Sequence, residues 1–600
     1  MESKHEKAGA PSQMDGHKGM KGDTPGPTGL KFALLMLSAF AAMFLVSLDK
    51  MIISTAIPQI TDTFHSKDDI GWYGTAYLLT NCAFQLVFGK LYKFLPVKTT
   101  FLTSLLLFEA GSALCGAAPN SIAFIFGRLI AGLGAGGVLP GVMVIIVYTV
   151  PLAKRPKYQG VFGAVFGVAS LLGPTMGGAF TTNVTWRWCF YINLPIGGVV
   201  MVLVFLLLHL PNKPGPKLSF KDKLRQANIL GFLCLVPGIV CLCLVLQWGG
   251  TTYPWNNGRI IALFVVAFVL LIAFALVQVW LPEQAILPPR LFIQRSIASG
   301  FWSSLCVGAH QTIILYYLPI WFQAILGKSA VDSGIDLLPM VLLIAATSIA
   351  NGQLVSFIGY YTPSFIIGLC ITAVGTGLLT TFGLYTSEGQ WVGYQIVYGF
   401  GQGLASQAAN MAAQTVLPKE DVAIGASLMF FGQTLFGAVF VSVGQNVLYS
   451  QLTQRLANIP GIPPELIQSA GATDFLGSID PQYHAAAVGA YNDSLRVVLQ
   501  VALCMACLAI PGGLAMEWRT VKKKGPPNGP PGMQAAEKGQ AKSNGSENGA
   551  SGADAEARAQ ATTLDAANER VYEGKETAAP RSTMSSDLSH AATQGEEKAA

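Results

Sequence analysis

Charged residues are scarce in this chain of 600 residues. Asp, Glu, Lys and Arg together account for 12% of the sequence, against roughly 25% in an ordinary soluble domain. Hydrophobic residues account for 52%, and the mean hydropathy is +0.48. This composition excludes a soluble globular protein and predicts an all-α polytopic membrane protein in a lipid bilayer. The formal charge of +6 does not indicate nucleic acid binding, because the basic residues lie in short loops.

Several signatures of enzymes are also missing. The ten cysteines all fall in apolar segments, without the spacing of a disulfide framework or a metal site. Gly132, Gly134 and Gly137 spell a GxGxxG pattern, but a dinucleotide site would need a preceding strand in a soluble βαβ unit. No phosphate-binding loop of the GxxxxGKS type supports ATP as a driving force. The sequence therefore predicts no enzyme, no catalytic residue, no cofactor and no metal site.

Apolar stretches of about 20 residues, enough to span a bilayer, recur about fourteen times along the chain. The polar start contains no secretory signal, so the first stretch is expected to stay as a spanning helix. Lys and Arg accumulate in alternate loops, which places both termini in the cytoplasm. The predicted parts are a disordered cytoplasmic N-tail (1–30), a six-helix bundle (31–209), a cytoplasmic loop with two inserted helices (210–297), a second six-helix bundle (298–517) with an extracellular loop (450–490), and a disordered cytoplasmic C-tail (518–600).

One apolar stretch, residues 127–151, carries an arginine and a comb of glycines. Arg128, Gly132 and Gly136 are four residues apart, so they share one helix face and allow close helix contact. A guanidinium at this depth should face protein or water, because exposing it to lipid costs about 2.5 to 3.5 kcal/mol. The comb recurs 267 positions later, where Gln395 occupies the place of the arginine. This repeat indicates two related bundles with a substrate site between them.

Four motifs resemble the major facilitator superfamily, specifically its fourteen-helix drug:proton antiporters and, among them, the fungal toxin-efflux carriers. They are LDKMIISTAIP at 48–58, FGRLIAGLGAGG at 126–137, GPTMGG at 173–178 and WRWCFYINLPIGG at 186–198. The resemblance implies proton-coupled export of a small hydrophobic or amphipathic compound, a fungal secondary metabolite, mycotoxin or drug, by alternating access. The chain departs from the family at Lys93, where an acid is usual, which puts the associated conformational latch in doubt.

Three intramembrane charges are candidates for proton coupling. We expect Asp49 to carry the proton, because burial raises a carboxyl pKa and a nearby cation lowers it again. Arg128 is its expected electrostatic partner, and Glu109 is an additional candidate. Structural contacts remain alternatives for Asp49 and Glu109, as does snorkelling to the interface for Arg128. The antiporter motif implies a gate in the fifth helix, with ordinary tight packing as the alternative; its residues are Gly163, Gly167, Gly173, Pro174, Gly177 and Gly178.

Polar and aromatic side chains in the predicted helices are candidates for the wall of a substrate cavity. Contacts between helices would explain the same residues equally well. The candidates are Asn81, Gln85, His310, Gln311, Tyr316, Tyr317, Trp321, Gln323, Gln402, Gln407 and Asn410. Since none carries a strong fixed charge, we expect an amphipathic substrate that is neutral or weakly charged.

The remaining expectations concern the setting of the protein. Asn183, in an NVT sequence close to the membrane, is a candidate for glycosylation. We expect the plasma membrane, with a vacuolar or vesicle membrane as the alternative, and a monomer is sufficient for transport. A siderophore or nutrient importer of the same superfamily, or a polytopic receptor that transports nothing, stays an open alternative. The first is disfavoured by the GPTMGG sequence.

Overall fold

The computed structural model describes residues 29–66, 69–209, 228–250, 253–457 and 481–522. Within these ranges the chain forms α-helices joined by short turns, and its only β contacts are two isolated bridges, between Gly249 and Tyr253 and between Tyr360 and Thr520. The first half contains α1 Leu30–Phe64, α2 Ile70–Phe94, α3 Val97–Ala117, α4 Ser121–Thr149, a 3-10 turn Leu152–Lys154, α5 Arg155–Asn183, α6 Trp188–Tyr191 and α7 Asn193–Leu207.

The second part of the described chain begins with two further helices, α8 Ile229–Trp248 and α9 Gly258–Trp280. They are followed by α10 Arg290–Ile293, α11 Arg295–Leu326, α12 Ala330–Ile335, α13 Leu338–Ile358, α14 Thr362–Leu379, α15 Glu388–Ala405, α16 Ala408–Val416, α17 Val422–Leu456 and α18 Pro481–Ala515. Twelve helical segments in the described part are long and apolar enough to cross a membrane. The more polar α2 and the broken pair α15–α16 bring the number of predicted positions to fourteen, so the predicted fold class is confirmed.

Several predicted boundaries need correction. The predicted loop 450–490 is shorter, because α17 continues to Leu456 and α18 already begins at Pro481. The extension of α17 pairs with α18 just beyond the predicted loop, where Arg455 Nη1 lies 3.4 Å from Asp493 Oδ2. Hydropathy alone does not predict these polar helical turns at the ends of membrane helices. The predicted C-tail also starts too early, since residues up to 522 are described and Val521 is buried. Residues 1–28, 210–227, 458–480 and 523–600 lie outside the described residues.

The glycine comb packs in the same way in both halves of the chain. A Cβ on Gly132 or Gly136 of α4 would collide with the backbone of α2, and one on Gly134 with the backbone of α3. In the second half, α15 repeats this pattern against α13 and α14. There Gly399 and Gly403 lie against α13, and Gly401 lies against α14. The weak repeat in the sequence is therefore a repeat of helix packing.

The two halves contact each other mainly along two pairs of helices, α5 with α13 and α2 with α17. Phe162 of α5 also stacks on Phe430 of α17, with ring centroids 5.5 Å apart. Helices α8 and α9 pack together beside α2, where Phe232 lies 5.6 Å from Phe84 and Trp248 lies 6.0 Å from Trp72 between ring centroids. The inserted pair thus lies alongside one of the seams between the halves.

Candidate functional site

A buried ion pair joins α1 and α4. Arg128 Nη1 lies 2.7 Å from Asp49 Oδ2, and the two side chains are 1% and 0% exposed. Arg128 Nε donates a hydrogen bond to the Tyr73 carbonyl oxygen at 3.0 Å. The guanidinium lies 4.5 Å from the centre of the Tyr77 ring, in a geometry that favours a cation–π contact. These contacts from α2 fix the arginine opposite the carboxylate.

One oxygen of this carboxylate remains available. Asp49 Oδ1 is buried and has no hydrogen-bond partner among the described residues, whereas Oδ2 is held by Arg128. Separating two charges in such a buried place leaves each of them uncompensated, which typically costs 3 to 5 kcal/mol. The same separation becomes much easier if a proton first neutralises the carboxylate. The geometry therefore suits a pair that opens on protonation.

Glu109 lies in a different place from this pair. It is on α3, where its side chain is 5% exposed and lies against Gly197 of α7. Neither carboxyl oxygen has a hydrogen-bond partner within the described chain. One turn further along the same interface, Asn193 donates to Ser112 Oγ at 3.1 Å. The structure thus brings Asp49 and Arg128 together and leaves Glu109 without a hydrogen-bond partner where α3 packs on α7.

The motif glycines of α5 lie against two different helices. A Cβ on Gly163 would lie 2.9 Å from Ser348 Cβ, and one on Gly167 would lie 3.3 Å from the Val341 carbonyl oxygen, both on α13. Gly173 and Gly177 lie instead against Met51, Ile52 and Thr55 of α1. Close backbone contact is therefore required on both sides of α5, toward the second half and toward the helix that carries Asp49.

Two other residues of this motif face the second half with more room. The nearest atom to a Cβ on Gly178 would be Val331 Cγ2 at 3.9 Å, and Pro174 Cβ lies 3.9 Å from the equivalent position of Gly334. Helix α5 runs without a break through Pro174. The motif thus forms an α5 surface that is tight along α1 and α13 and looser near α12.

Lys93 forms an ion pair across the two halves. Its Nζ lies 2.7 Å from Asp421 Oδ1 at the start of α17, and Arg290 Nη2 lies 2.8 Å from the other oxygen. The neighbouring Lys90 is buried and donates to the carbonyl oxygens of Gln284 and Ala285, in the segment between α9 and α10. The sequence alone does not reveal this partner of Lys93, because Asp421 is 328 residues away along the chain.

The aromatic candidates for the substrate wall lie on α11. Trp321 is fully buried and donates to Asn492 Oδ1 at 2.9 Å, and the Tyr317 hydroxyl donates to the Val441 carbonyl oxygen at 2.9 Å. His310 Nδ1 lies 3.2 Å from the Tyr398 hydroxyl. These three side chains are held inside the second half. Tyr316 differs from them, since 53% of its surface is exposed.

The polar candidates occupy several positions. Gln323 donates to Ser333 Oγ at 3.1 Å, and Gln311 is half-buried. Four amides are buried and have polar atoms without a hydrogen-bond partner in the described ranges: Asn81, Gln85, Gln402 and Asn410. Since amides buried between helices normally find partners, this group is the strongest polar candidate for contact with a substrate or with water.

Gln407 lies at the break between α15 and α16. With Gln159 of α5 and Asn351 of α13, it lines a cavity of about 20 Å³ between the halves. Asn351 Nδ2 donates to the Leu404 carbonyl oxygen at 2.9 Å, so Asn351 Oδ1 remains available to another partner. A site of this size and polarity can hold a water molecule. The apolar stretch over residues 388–416 therefore does not form one continuous helix, because the chain turns at Ser406 and Gln407.

Asn183 is the last residue of α5 and is exposed. Its Nδ2 donates to the Ala179 carbonyl oxygen of the preceding turn at 3.1 Å. Glycosylation of Asn183 remains a prediction.

The candidates named from the sequence do not include Lys50, a cation directly after Asp49 inside the first apolar segment. The sequence LDK, which places a lysine inside an apolar segment, is the signal that could have identified it.

Long apolar helices in two repeated sets, which meet along glycine-lined seams and enclose a buried ion pair, define a multi-span membrane transporter. The sequence model of the Major Facilitator Superfamily matches residues 39–441. The chain therefore belongs to the Major Facilitator Superfamily, whose members carry small substrates across membranes.

Known relatives are similar over most of their length. The MFS-type efflux pump MFS1 of Arthroderma benhamiae is 50% identical over 499 residues, which cover 83% of this chain and 93% of that protein. The rubrofusarin-specific efflux pump aurT of Gibberella zeae is 45% identical over 497 residues, covering 83% of this chain and 91% of that one. Among solved structures, the human organic anion transporter MFSD10 (TETRAN) shares the fold with a TM-score of 0.51, at 12% identity, over 80% of this chain and 100% of that chain.

Proposed function

We propose that this protein exports a small hydrophobic or amphipathic compound in exchange for protons. The observation that carries the proposal is the buried pair of Asp49 and Arg128, 2.7 Å apart, in which one carboxylate oxygen is held by the arginine and the other has no partner in the described chain. An ionisable pair inside a membrane bundle is a functional candidate by default. The similarity to two proteins named as efflux pumps supports export as the direction.

In this mechanism, the proton and the substrate use alternating conformations of the two halves. A proton on Asp49 weakens its attraction to Arg128 and frees α1 to move relative to α4. Because Gly173 and Gly177 of α5 lie against α1, a movement of α1 reaches the helix that also packs on the second half. The gating role of the α5 glycines rests on this double contact. One proton crossing 100 mV supplies about 2.3 kcal/mol, enough to drive a useful concentration ratio.

The proposal also includes the orientation and the membrane location of the transporter. The basic loops favour cytoplasmic termini, and with that orientation the ion pair of Lys93 and Asp421 lies at the cytoplasmic ends of α2 and α17. Contacts there would close the inner side, so the described conformation would be closed toward the cytoplasm. We place the protein in the plasma membrane, where a monomer would be sufficient for transport. Helices α1–α7 and α11–α18 would be the two bundles, and α8 with α9 the inserted pair.

The test is transport by the purified full chain in liposomes with an imposed pH gradient, using a panel of amphipathic compounds. Asp49→Asn should abolish movement that depends on the gradient while the protein stays folded. Asp493→Asn is the matched control, because Asp493 is 47% exposed and lies in an ion pair with Arg455. Unchanged gradient-driven transport by Asp49→Asn would refute the coupling role. Absence of any gradient-driven transport by the wild-type chain would refute the proposal itself.

A further inference from the structure

Lys50 is a second cation in the membrane-spanning part of α1, and the ion pair does not use it. It lies within the apolar span Leu30–Ile53. The side chain is half-buried, and it makes no ion pair or hydrogen bond with any residue in the described ranges. Its neighbours in sequence are engaged: Asp49 pairs with Arg128, and Met51 lies against Gly173 of α5. Lys50 alone in this group keeps its charged end free.

The exposed surface of Lys50 faces the interior of the protein. Helix α1 is surrounded by α2, α4, α5 and α7. From Ser38 to Ile57, every side chain whose burial is described is buried or half-buried, and none is exposed. An ammonium group that is partly accessible on such a helix therefore faces a space inside the transporter. Intramembrane cations of this kind mark substrate or ion pathways.

No acid contacts Lys50 directly in the described part of the chain. Asp49 is held by Arg128 in a buried pair. Glu109, an intramembrane acid of the same half, lies against Gly197 of α7. The ammonium group of Lys50 is thus left without a carboxylate in contact with it. A compact ammonium with three donors attracts an anion strongly where water is partly excluded.

An aromatic surface lies at a matching depth in the second half. Lys50 follows the start of α1 at Leu30 by 20 residues, and Tyr316 follows the start of α11 at Arg295 by 21. Tyr316 is 53% exposed, while the other side chains of α11 from Ser303 to Leu326 are buried or half-buried. Its ring centre lies 5.1 Å from that of the buried Tyr317. The second half thus exposes an aromatic ring on an otherwise interior helix.

We propose that Lys50 is an anion-binding residue of the transport path and selects aromatic substrates that carry a carboxylate or phenolate. The inference deepens the proposed export function and rests on it for its physiological meaning. It replaces the expectation of a neutral or weakly charged substrate, which was drawn from wall residues that did not include Lys50. The ammonium would hold the acidic group, and the exposed Tyr316 would contact the ring.

The experiment measures binding of two matched probes, hydroxynaphthoate and its uncharged amide, to the full chain in nanodiscs. Wild-type protein should bind the anion more tightly than the amide. Lys50→Met should weaken binding of the anion about tenfold and leave binding of the amide unchanged, whereas Lys50→Arg should retain the preference. Lys98→Met is the control, since Lys98 lies over the Phe205 ring at the other end of the bundle.

The outcomes separate this inference from the export proposal. Equal affinity of the wild type for anion and amide, or equal weakening of both probes by Lys50→Met, would overturn the role of Lys50. Anion preference without gradient-driven transport would keep the Lys50 site and refute proton-coupled export. Loss of an unpaired cation should not impair folding, and Lys50→Gln provides a second neutral variant. A variant that binds the amide normally is folded by that measure.

Discussion

Lys93, at the end of α2, and Asp421, directly before α17, form an ion pair of 2.7 Å between the two halves of the chain. The family pattern places an acid at the position of Lys93. Here the base is on the first half and the acid is on the second. Asp421 is only 5% exposed and is also contacted by Arg290 from the segment before α11. The contact thus joins the two halves at the position where the family pattern has an acid.

We predict that Lys93→Asp slows transport, because two carboxylates would then face each other at a contact that closes one side of the protein. This charge reversal should destabilise the closed state by about 1.5 to 3 kcal/mol, the usual contribution of a hydrogen bond to a charged group. The measurement is gradient-driven flux, together with labelling of an engineered cysteine behind the contact.

The double variant Lys93→Asp with Asp421→Lys should recover a large part of the flux, because it restores opposite charges. Arg519→Asp serves as a control, since it removes an exposed ion pair with Glu517 away from this seam. If the double variant is as slow as the sum of the single variants, the two residues do not act as a pair.

The sequence was sufficient to predict the helices and one part of the candidate site. The hydrophobicity and length of the apolar stretches located the fourteen segments. The charged residues in the sequences LDK and FGR identified Asp49 and Arg128. Their contact depends on α1 and α4 lying side by side, which neither motif encodes. The sequence did not predict which neighbouring helix Lys50 faces, because adjacent residues on a helix point in different directions. The Asp421 contact depends on how the halves meet, which local sequence does not encode.

The break at Ser406 and Gln407 was also invisible in the sequence. The stretch from 388 to 416 contains no proline and carries apolar residues throughout, so a single helix was the natural prediction. The turn lies beside the cavity lined by Gln159 and Asn351, and Gly368 packs on the Leu404 Cβ and the Ala405 backbone. Contacts between helices, rather than the preference of the local sequence, determine where this helix ends.

Arg128→Gln should destabilise the protein by about 3 to 5 kcal/mol, because it leaves the Asp49 carboxylate buried without its cation. The double variant Asp49→Asn with Arg128→Gln should recover most of this stability, since no buried charge remains. Proton-driven transport should stay absent in the double variant. Thermal unfolding in detergent and flux in liposomes measure the two effects separately.

Gln395→Arg is the reciprocal test. Gln395 is buried and donates to the Asp336 carbonyl oxygen at 2.9 Å, as Arg128 donates to that of Tyr73 in the first half. An arginine at 395 should therefore be destabilising and should not restore transport to Arg128→Gln. Restored proton coupling in the combined variant would contradict our placement of coupling in the first half alone.

Gly177→Ala should impair transport more than Gly178→Ala. A Cβ at 177 would lie 3.0 Å from the Ile52 carbonyl oxygen, whereas at 178 the nearest atom is 3.9 Å away. The two glycines are neighbours with the same helix propensity, so their difference isolates the contact of α5 with α1. Flux relative to the amount of folded protein is the measurement. Equal flux in both variants would show that close α1–α5 packing does not limit the transport cycle.

Gly134→Ala and Gly401→Ala test whether the repeated comb is structural in both halves. A Cβ at 134 would lie 2.5 Å from the Ser104 carbonyl oxygen, and one at 401 would lie 2.8 Å from that of Gly368. Both are backbone contacts that cannot move aside, so each variant should lose about 1 to 3 kcal/mol of stability. Gly389→Ala, also on α15, is the control, because a Cβ there meets nothing within 4 Å. It should be neutral or slightly stabilising, since alanine favours helix over glycine by about 1 kcal/mol. If only Gly134→Ala lowers the unfolding temperature, the two combs have different roles, and the equivalence of the halves does not extend to their packing.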